Sequence, residues 1–177
     1  IGEVWNQEIF LDPVQSSGQA LRIQMDAVGR EFLVAELRMR TGFDASIPAD
    51  GVLFYKQDLD AALRPDPTTT NPYFLTLLEQ DGNRGLTRNF FEGGNRGEAT
   101  DAWGVDGFSR KLHASTTPQL LLSNGQATAV TVHEVSVVDG RARLVISTGR
   151  TPQIVPPEAS IEVERVAPFL QFLRIAG

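Results

Sequence analysis

The side chains that could do chemistry in this chain are few, and histidine is the first to consider because it titrates near neutral pH. There are two, His113 and His133. His113 lies two positions before Ser115 in Lys111-Leu112-His113-Ala114-Ser115, which sets a base close to a hydroxyl, as a Ser-His hydrolase needs. No G-x-S-x-G elbow surrounds that serine, and a partly exposed histidine at a strand start is the better explanation. His133 falls within a β-hairpin, where a cross-strand packing role is expected. A zinc peptidase needs H-E-x-x-H on a helix. That motif is absent, and with no cysteine in the chain no thiolate set replaces it. Two carboxylates could serve a glycosidase, but 22 acidic residues make some pair available on any reading. The chain by itself is therefore read as noncatalytic.

The segment from Gln80 to Pro118 is more specific. Its glycines alternate with Asp, Asn and Glu, and its Phe90, Phe91, Trp103 and Phe108 are expected to pin it down by ring burial. Calcium takes six to eight oxygen ligands on loops tight enough to need glycine. Gly94-Asn95-Arg96-Gly97-Glu98, followed by Asp101 and Asp106, offers such oxygens at short, uneven spacing. Asn95, Glu98, Asp101 and Asp106 are thus the candidate calcium ligands, although the EF-hand pattern is missing. The competing reading is a solvated loop whose Asp and Asn side chains cap turns.

These residues must be positioned by strands. In Phe32 to Tyr55, Leu33, Ala35, Leu37 and Met39 alternate with Phe32, Val34, Glu36 and Arg38, the period of a two-faced strand. Val52-Leu53-Phe54-Tyr55 is an apolar run that suits a strand covered on both sides. Glu36 and Arg38 share a face of the first strand and are expected to pair, with Asp44 fixing the intervening loop through backbone hydrogen bonds. Further strands are expected over Glu8 to Val14, Gln19 to Met25, Tyr73 to Glu79, Thr128 to Val138 and Ala142 to Ser147. The last two are joined by Asp139-Gly140, a strong hairpin signal. In that hairpin Val130, Val132 and Glu134 are expected on one face, with Thr131, His133 and Val135 on the other. Ordered structure is also expected at Gln119 to Leu122, before the turn Ser123-Asn124-Gly125. The expected fold is all-β, an antiparallel, jelly-roll-like β-sandwich with long irregular loops and little helix. Residues 1–147 form the domain, 148–157 a linker, and 158–177 an extra strand or the start of a following unit.

Composition sets outer limits. A length of 177 residues with 41% hydrophobic content suits one domain with a sizeable core. A net charge of −6, with no basic run, argues against a nucleic-acid surface. No apolar segment approaches the roughly 18 residues of a membrane span, and no basic-then-apolar leader is visible. Lacking cysteine, the chain is compatible with cytoplasm or bacterial secretion. Starting at Ile1 without an initiator methionine, it reads as a piece of a longer protein.

Several short motifs occur in a fixed order. Arg30-Glu31-Phe32-Leu33-Val34-Ala35-Glu36-Leu37-Arg38, Thr41-Gly42-Phe43-Asp44, Ile47-Pro48 and Gly51-Val52-Leu53 together resemble the segment "EYYLVENR…GFD…LPG.GLLI" of secreted immune inhibitor A-like metalloproteases. Leu11-Asp12-Pro13-Val14 with Ala20-Leu21-Arg22-Ile23 is similar to the hairpin before it. Leu77-Leu78-Glu79-Gln80-Asp81-Gly82 is similar to that family's "L-x-Q-A-D-G", and Gly94-Asn95-Arg96-Gly97-Glu98 to its "G-D-x-G-D". The resemblance covers roughly residues 8 to 147. It departs at Asn95 and Glu98, where the family has aspartates, and at Lys56-Gln57-Asp58, which keeps only the aspartate of "H-V-D".

The resemblance implies a noncatalytic β-sandwich lying downstream of a zinc endopeptidase domain. Zinc would belong to that absent domain, and calcium is common in such proteins. It further implies a secreted, extracellular, bacterial protein whose partner is the protease domain of the same polypeptide, and no catalytic residue carries over. The rival expectation is an independent extracellular binding module for carbohydrate or protein, using Trp5, Tyr73, Trp103 and Phe108 as an aromatic platform.

Overall fold

The structure, a computed structural model, describes residues 5–61, 73–104, 108–148 and 153–155. It is built from strands β1 (Trp5–Leu11), β2 (Ala20–Gln24), β3 (Glu31–Arg38), β4 (Gly51–Asp58), β5 (Leu75–Leu77), β6 (Thr131–Val138), β7 (Arg141–Thr148) and β8 (Gln153–Val155), with one α-helical turn, α1 (Val14–Ser17). Two antiparallel sheets result, of order β1-β7-β6 and β5-β4-β3-β2-β8. Their inner faces share one core, with Ile9, Leu11, Val132, Leu144 and Ile146 from the first sheet and Leu21, Ile23, Leu33, Leu37 and Phe54 from the second. The fold is all-β with sandwich-like packing of the sheets, as the period-2 patterning predicts.

In β3 the buried set is Leu33, Ala35 and Leu37, while Val34, Glu36 and Arg38 point the other way. In β4 Val52 and Phe54 are fully buried and Leu53 and Tyr55 half-buried. The strand lies between β3 and β5, which satisfies both of its edges. The expected first strand stops at Leu11, because Pro13 removes a ladder donor and Val14 begins the helical turn.

The Asp139-Gly140 hairpin forms as expected, both residues having positive φ, 51° and 74°. Its face assignment needs correction. A bulge between Val132 and Glu134 inserts His133 as an extra residue, so Val132 and Val135 both face the core. Gln119 to Leu122 contributes only an isolated bridge, Leu121 to Ala127, closing the turn at Ser123-Asn124-Gly125. Gln153–Val155, inside the stretch expected as a linker, pairs with β2. The strand expected at 160–166 and the apolar tail 169–175 lie outside the described residues.

Candidate metal centre

The β3–β4 connection organises one end of the sandwich. Arg38 Nε donates to Glu36 Oε1 at 2.8 Å, and its Nη1 to Asp44 Oδ2 at 2.9 Å. The expected Glu36–Arg38 pair is present. Asp44 reaches the loop through this guanidinium rather than through backbone donors, because its carboxylate faces Arg38 across the turn. Tyr55 Oη also donates to Glu36 Oε1 at 3.1 Å. Burial and the neighbouring Glu36 carboxylate both raise the Tyr55 pKa, so the phenol stays a donor.

The irregular segment after β5 packs against this end. Leu78 N–H donates to Phe54 O at 2.8 Å, prolonging the β5–β4 ladder. Farther on, Trp103 exchanges both backbone hydrogen bonds with Val52 at 2.8 and 2.9 Å. Its ring is fully buried, stands edge-on to Phe54 at 5.4 Å, and donates Nε1–H to Leu78 O at 2.6 Å. The expectation that ring burial pins the segment holds at Trp103 and fails at Phe90, Phe91 and Phe108, which are exposed. Gly51 permits the approach: a Cβ there would lie 2.7 Å from Ala102 Cβ and 2.9 Å from Trp103 O.

With its ends tied to β4, the segment folds back on itself. Gln80 N–H donates to Asp101 O at 3.1 Å and Asp81 N–H to Thr100 O at 3.3 Å, so 80–81 runs beside 100–101. This brings Glu79, Asp81 and Asp101 together, with one carboxylate oxygen of each within 4.8 Å of the others. Glu79 and Asp101 are only 2% and 4% exposed.

Each carboxylate is held by the loop. Glu79 accepts from Gly85 N at 2.6 Å and Leu86 N at 3.1 Å. Asp81 accepts from Asn83 N and Nδ2, both at 2.9 Å, and from Thr100 Oγ1 at 2.5 Å. Asp101 Oδ2 accepts from Glu98 N at 2.7 Å, whereas its buried Oδ1 has no partner. Burial pushes the Asp101 pKa up, as do the charges of Glu79, Asp81 and Glu98, to about 6 despite the bond from Glu98 N.

Among the described residues no Lys or Arg makes an ion pair with Glu79, Asp81, Glu98 or Asp101. Three hard oxygen donors held this way suit a hard cation and lack the imidazole or thiolate that zinc prefers.

Of the residues expected to hold calcium, Asp101 alone joins this group. Asn95 Nδ2 donates to Glu98 Oε1 at 2.6 Å, and Asn83 Nδ2 to the same atom at 2.6 Å, forming a rim around the group. Asp106 lies outside the described residues. Sequence reading missed Glu79 and Asp81. The signal was Glu79-Gln80-Asp81, whose alternate side chains share a face in an extended segment.

Neither histidine assembles a catalytic group. His113 Nδ1 accepts from the backbone N–H of Ser115 at 3.2 Å, and His133 Nε2 meets Ser147 Oγ at 2.7 Å across the strands. Beside the carboxylates runs a groove of about 250 Å³ between the two loops, lined by Arg38, Asp44, Pro48, Leu86, Arg96 and Glu98 among others. No family model matches the chain, and no curated protein or solved structure matches it either.

Proposed function

We propose that the chain is a noncatalytic β-sandwich module of a secreted, metallopeptidase-like protein, packing on the protease domain of the same polypeptide through its loop end. The observation that carries this reading is a set of exposed apolar side chains on the loops at this end. Phe90 and Phe91 are 84% and 96% exposed, Phe43 is fully exposed, and Leu86 is partly so. The two loops that bear them meet along the groove, where a Cβ on Gly97 would lie 3.7 Å from Pro48 and 4.0 Å from Leu86. Exposed apolar side chains on adjoining loops favour association with another protein surface. The ordered motifs from Leu11 to Glu98 supply the identity of that partner by resemblance.

The aromatic-platform alternative loses one of its two tryptophans, because Trp103 is fully buried. The test is binding in trans between this module and the peptidase domain of the same polypeptide, measured by titration calorimetry. Binding should weaken at least tenfold in a Phe43→Ser/Phe90→Ser/Phe91→Ser variant whose melting temperature is unchanged. No binding by the unaltered module, or full binding by the variant, would refute the reading.

A further inference from the structure

We infer that Glu79, Asp81 and Asp101 form a site for one hard divalent cation of the calcium type. The inference does not depend on the docking role proposed above. Acidic side chains often gather without a cation, but they then lie in water, stand beside Lys and Arg, or share a proton. Here Glu79 and Asp101 are almost wholly buried, and among the described residues no basic side chain pairs with any member of the group.

The independent observation is the Asp101 Oδ1 atom. It is buried without a hydrogen-bond donor, on a carboxylate whose other oxygen is already bonded. A buried acceptor left without a partner is destabilising, and a buried carboxylate more so. Oδ1 has both lone pairs unused, and the Glu79 and Asp81 carboxylates grouped with Asp101 cannot donate to it when ionised. A cation supplies what the protein omits.

The donors favour calcium over magnesium. Glu79 and Asp81 are fixed by backbone N–H groups of the 82–86 turn, so their oxygens approach at angles set by an irregular loop. Calcium accepts irregular geometry and a mixed shell of carboxylate, carbonyl and water, whereas magnesium demands a near-ideal octahedron and gives up its water reluctantly. The site joins two distant parts of the segment, 79–81 and 101, so occupancy would tie the long loop to the edge of the sheet.

The experiment is calorimetric titration of the chelator-treated full chain with calcium chloride, and separately with magnesium chloride, at pH 7. One calcium per chain is expected, bound at least tenfold more tightly than magnesium. Asp101→Asn, which keeps an acceptor for Glu98 N–H, should weaken calcium binding at least tenfold. Glu92→Gln, an exposed acid of the same loop, should leave it unchanged. Far-ultraviolet circular dichroism checks that each variant folds. Should Asp101→Asn not fold, Asp81→Asn reads the same loss from the half-buried member. Absence of calcium binding, undiminished binding in the folded Asp101 or Asp81 variant, or preference for magnesium would overturn the assignment.

Discussion

Replacing Asp101 with asparagine separates the two ways of neutralising the carboxylate group, by a cation or by a proton. The aspartate's ordinary pKa of 3.8 is raised to about 6 by burial and by Glu79, Asp81 and Glu98. A carboxyl whose folded-state pKa is raised binds its proton more tightly when folded. Its contribution to stability is greatest below pH 3.8 and is lost as pH rises through about 6. At pH 7 without a cation the ionised group costs about 3 kcal/mol, from about 1.4 kcal/mol per pH unit. Asparagine is nearly isosteric and carries no charge, and its Oδ1 can still accept from Glu98 N. In chelator at pH 7 the variant should therefore melt about 6–12 °C above the parent chain, taking a few degrees per kcal/mol. Calcium at a hundred times its dissociation constant should stabilise the parent by about 2.7 kcal/mol and the variant far less. Scanning calorimetry at pH 5 and pH 7, with and without calcium, reads all four conditions. A variant less stable than its parent in chelator at pH 7 would refute the electrostatic reasoning, and an equal calcium response in both would refute the ligand role.

Other changes probe what holds the site in place. Arg38→Ala strands Glu36 and Asp44, whose side chains are 13% and 19% exposed, and should cost about 2 kcal/mol in urea denaturation, with Arg38→Lys recovering part. A loss under about 0.5 kcal/mol would show that the pair contributes only what surface ion pairs do. Trp103→Phe keeps a ring beside Phe54 but leaves Leu78 O without its indole donor, and should cost about 1–3 kcal/mol. Wild-type stability in that variant would mean the indole hydrogen bond is dispensable. Gly51→Ala forces a methyl group against Ala102 and the Trp103 carbonyl, and should cost about 1–3 kcal/mol while accelerating proteolysis within 80–104. An unchanged cleavage rate would detach the loop from that contact.

Strands were legible in the sequence where one face met the core and the other did not. Leu33, Ala35 and Leu37 announced β3, and Asp139-Gly140 announced the β6–β7 turn, because periodicity and turn chemistry are local properties. The His133 bulge was not legible. Nothing in Thr128 to Val138 marks where an extra residue enters, since the ladder against β7 sets it. Asp44 illustrates the same limit: its type suggested a turn cap, but the distance across the turn delivered it to Arg38. The carboxylate group was half legible. Asp101 stood out in the glycine-rich loop, whereas Glu79 read as the end of a strand and Asp81 as one more loop acid until the backbone bonds of 80 and 81 to 101 and 100 joined them.

Comparison among the protein's own buried acids strengthens the cation reading. Glu36 and Asp44 share Arg38, and Glu36 also receives the Tyr55 hydroxyl. Glu31 and Asp58 face each other across β3 and β4, a like-charge pair that Lys56 and Ser123 relieve: Lys56 Nζ lies 3.2 Å from Glu31, Ser123 N–H donates to Glu31 Oε2 at 2.7 Å, and Ser123 Oγ lies 2.5 Å from Asp58 Oδ2. In each case positive charge comes from the same strand or its neighbour, where side chains two residues apart share a face. The third group has no such supply among the described residues. Arg84, Arg88 and Arg96 lie on the very loop that folds over it, yet among the described residues none of them pairs with Glu79, Asp81 or Asp101. The loop turns backbone N–H groups inward toward Glu79 and Asp81 and leaves the lone pairs of Asp101 Oδ1 without a donor. Backbone amides orient carboxylates without neutralising them. Two buried acidic groups are matched by the protein's own cations, and a third is oriented with none among the described residues, the arrangement expected when the missing charge comes from solution.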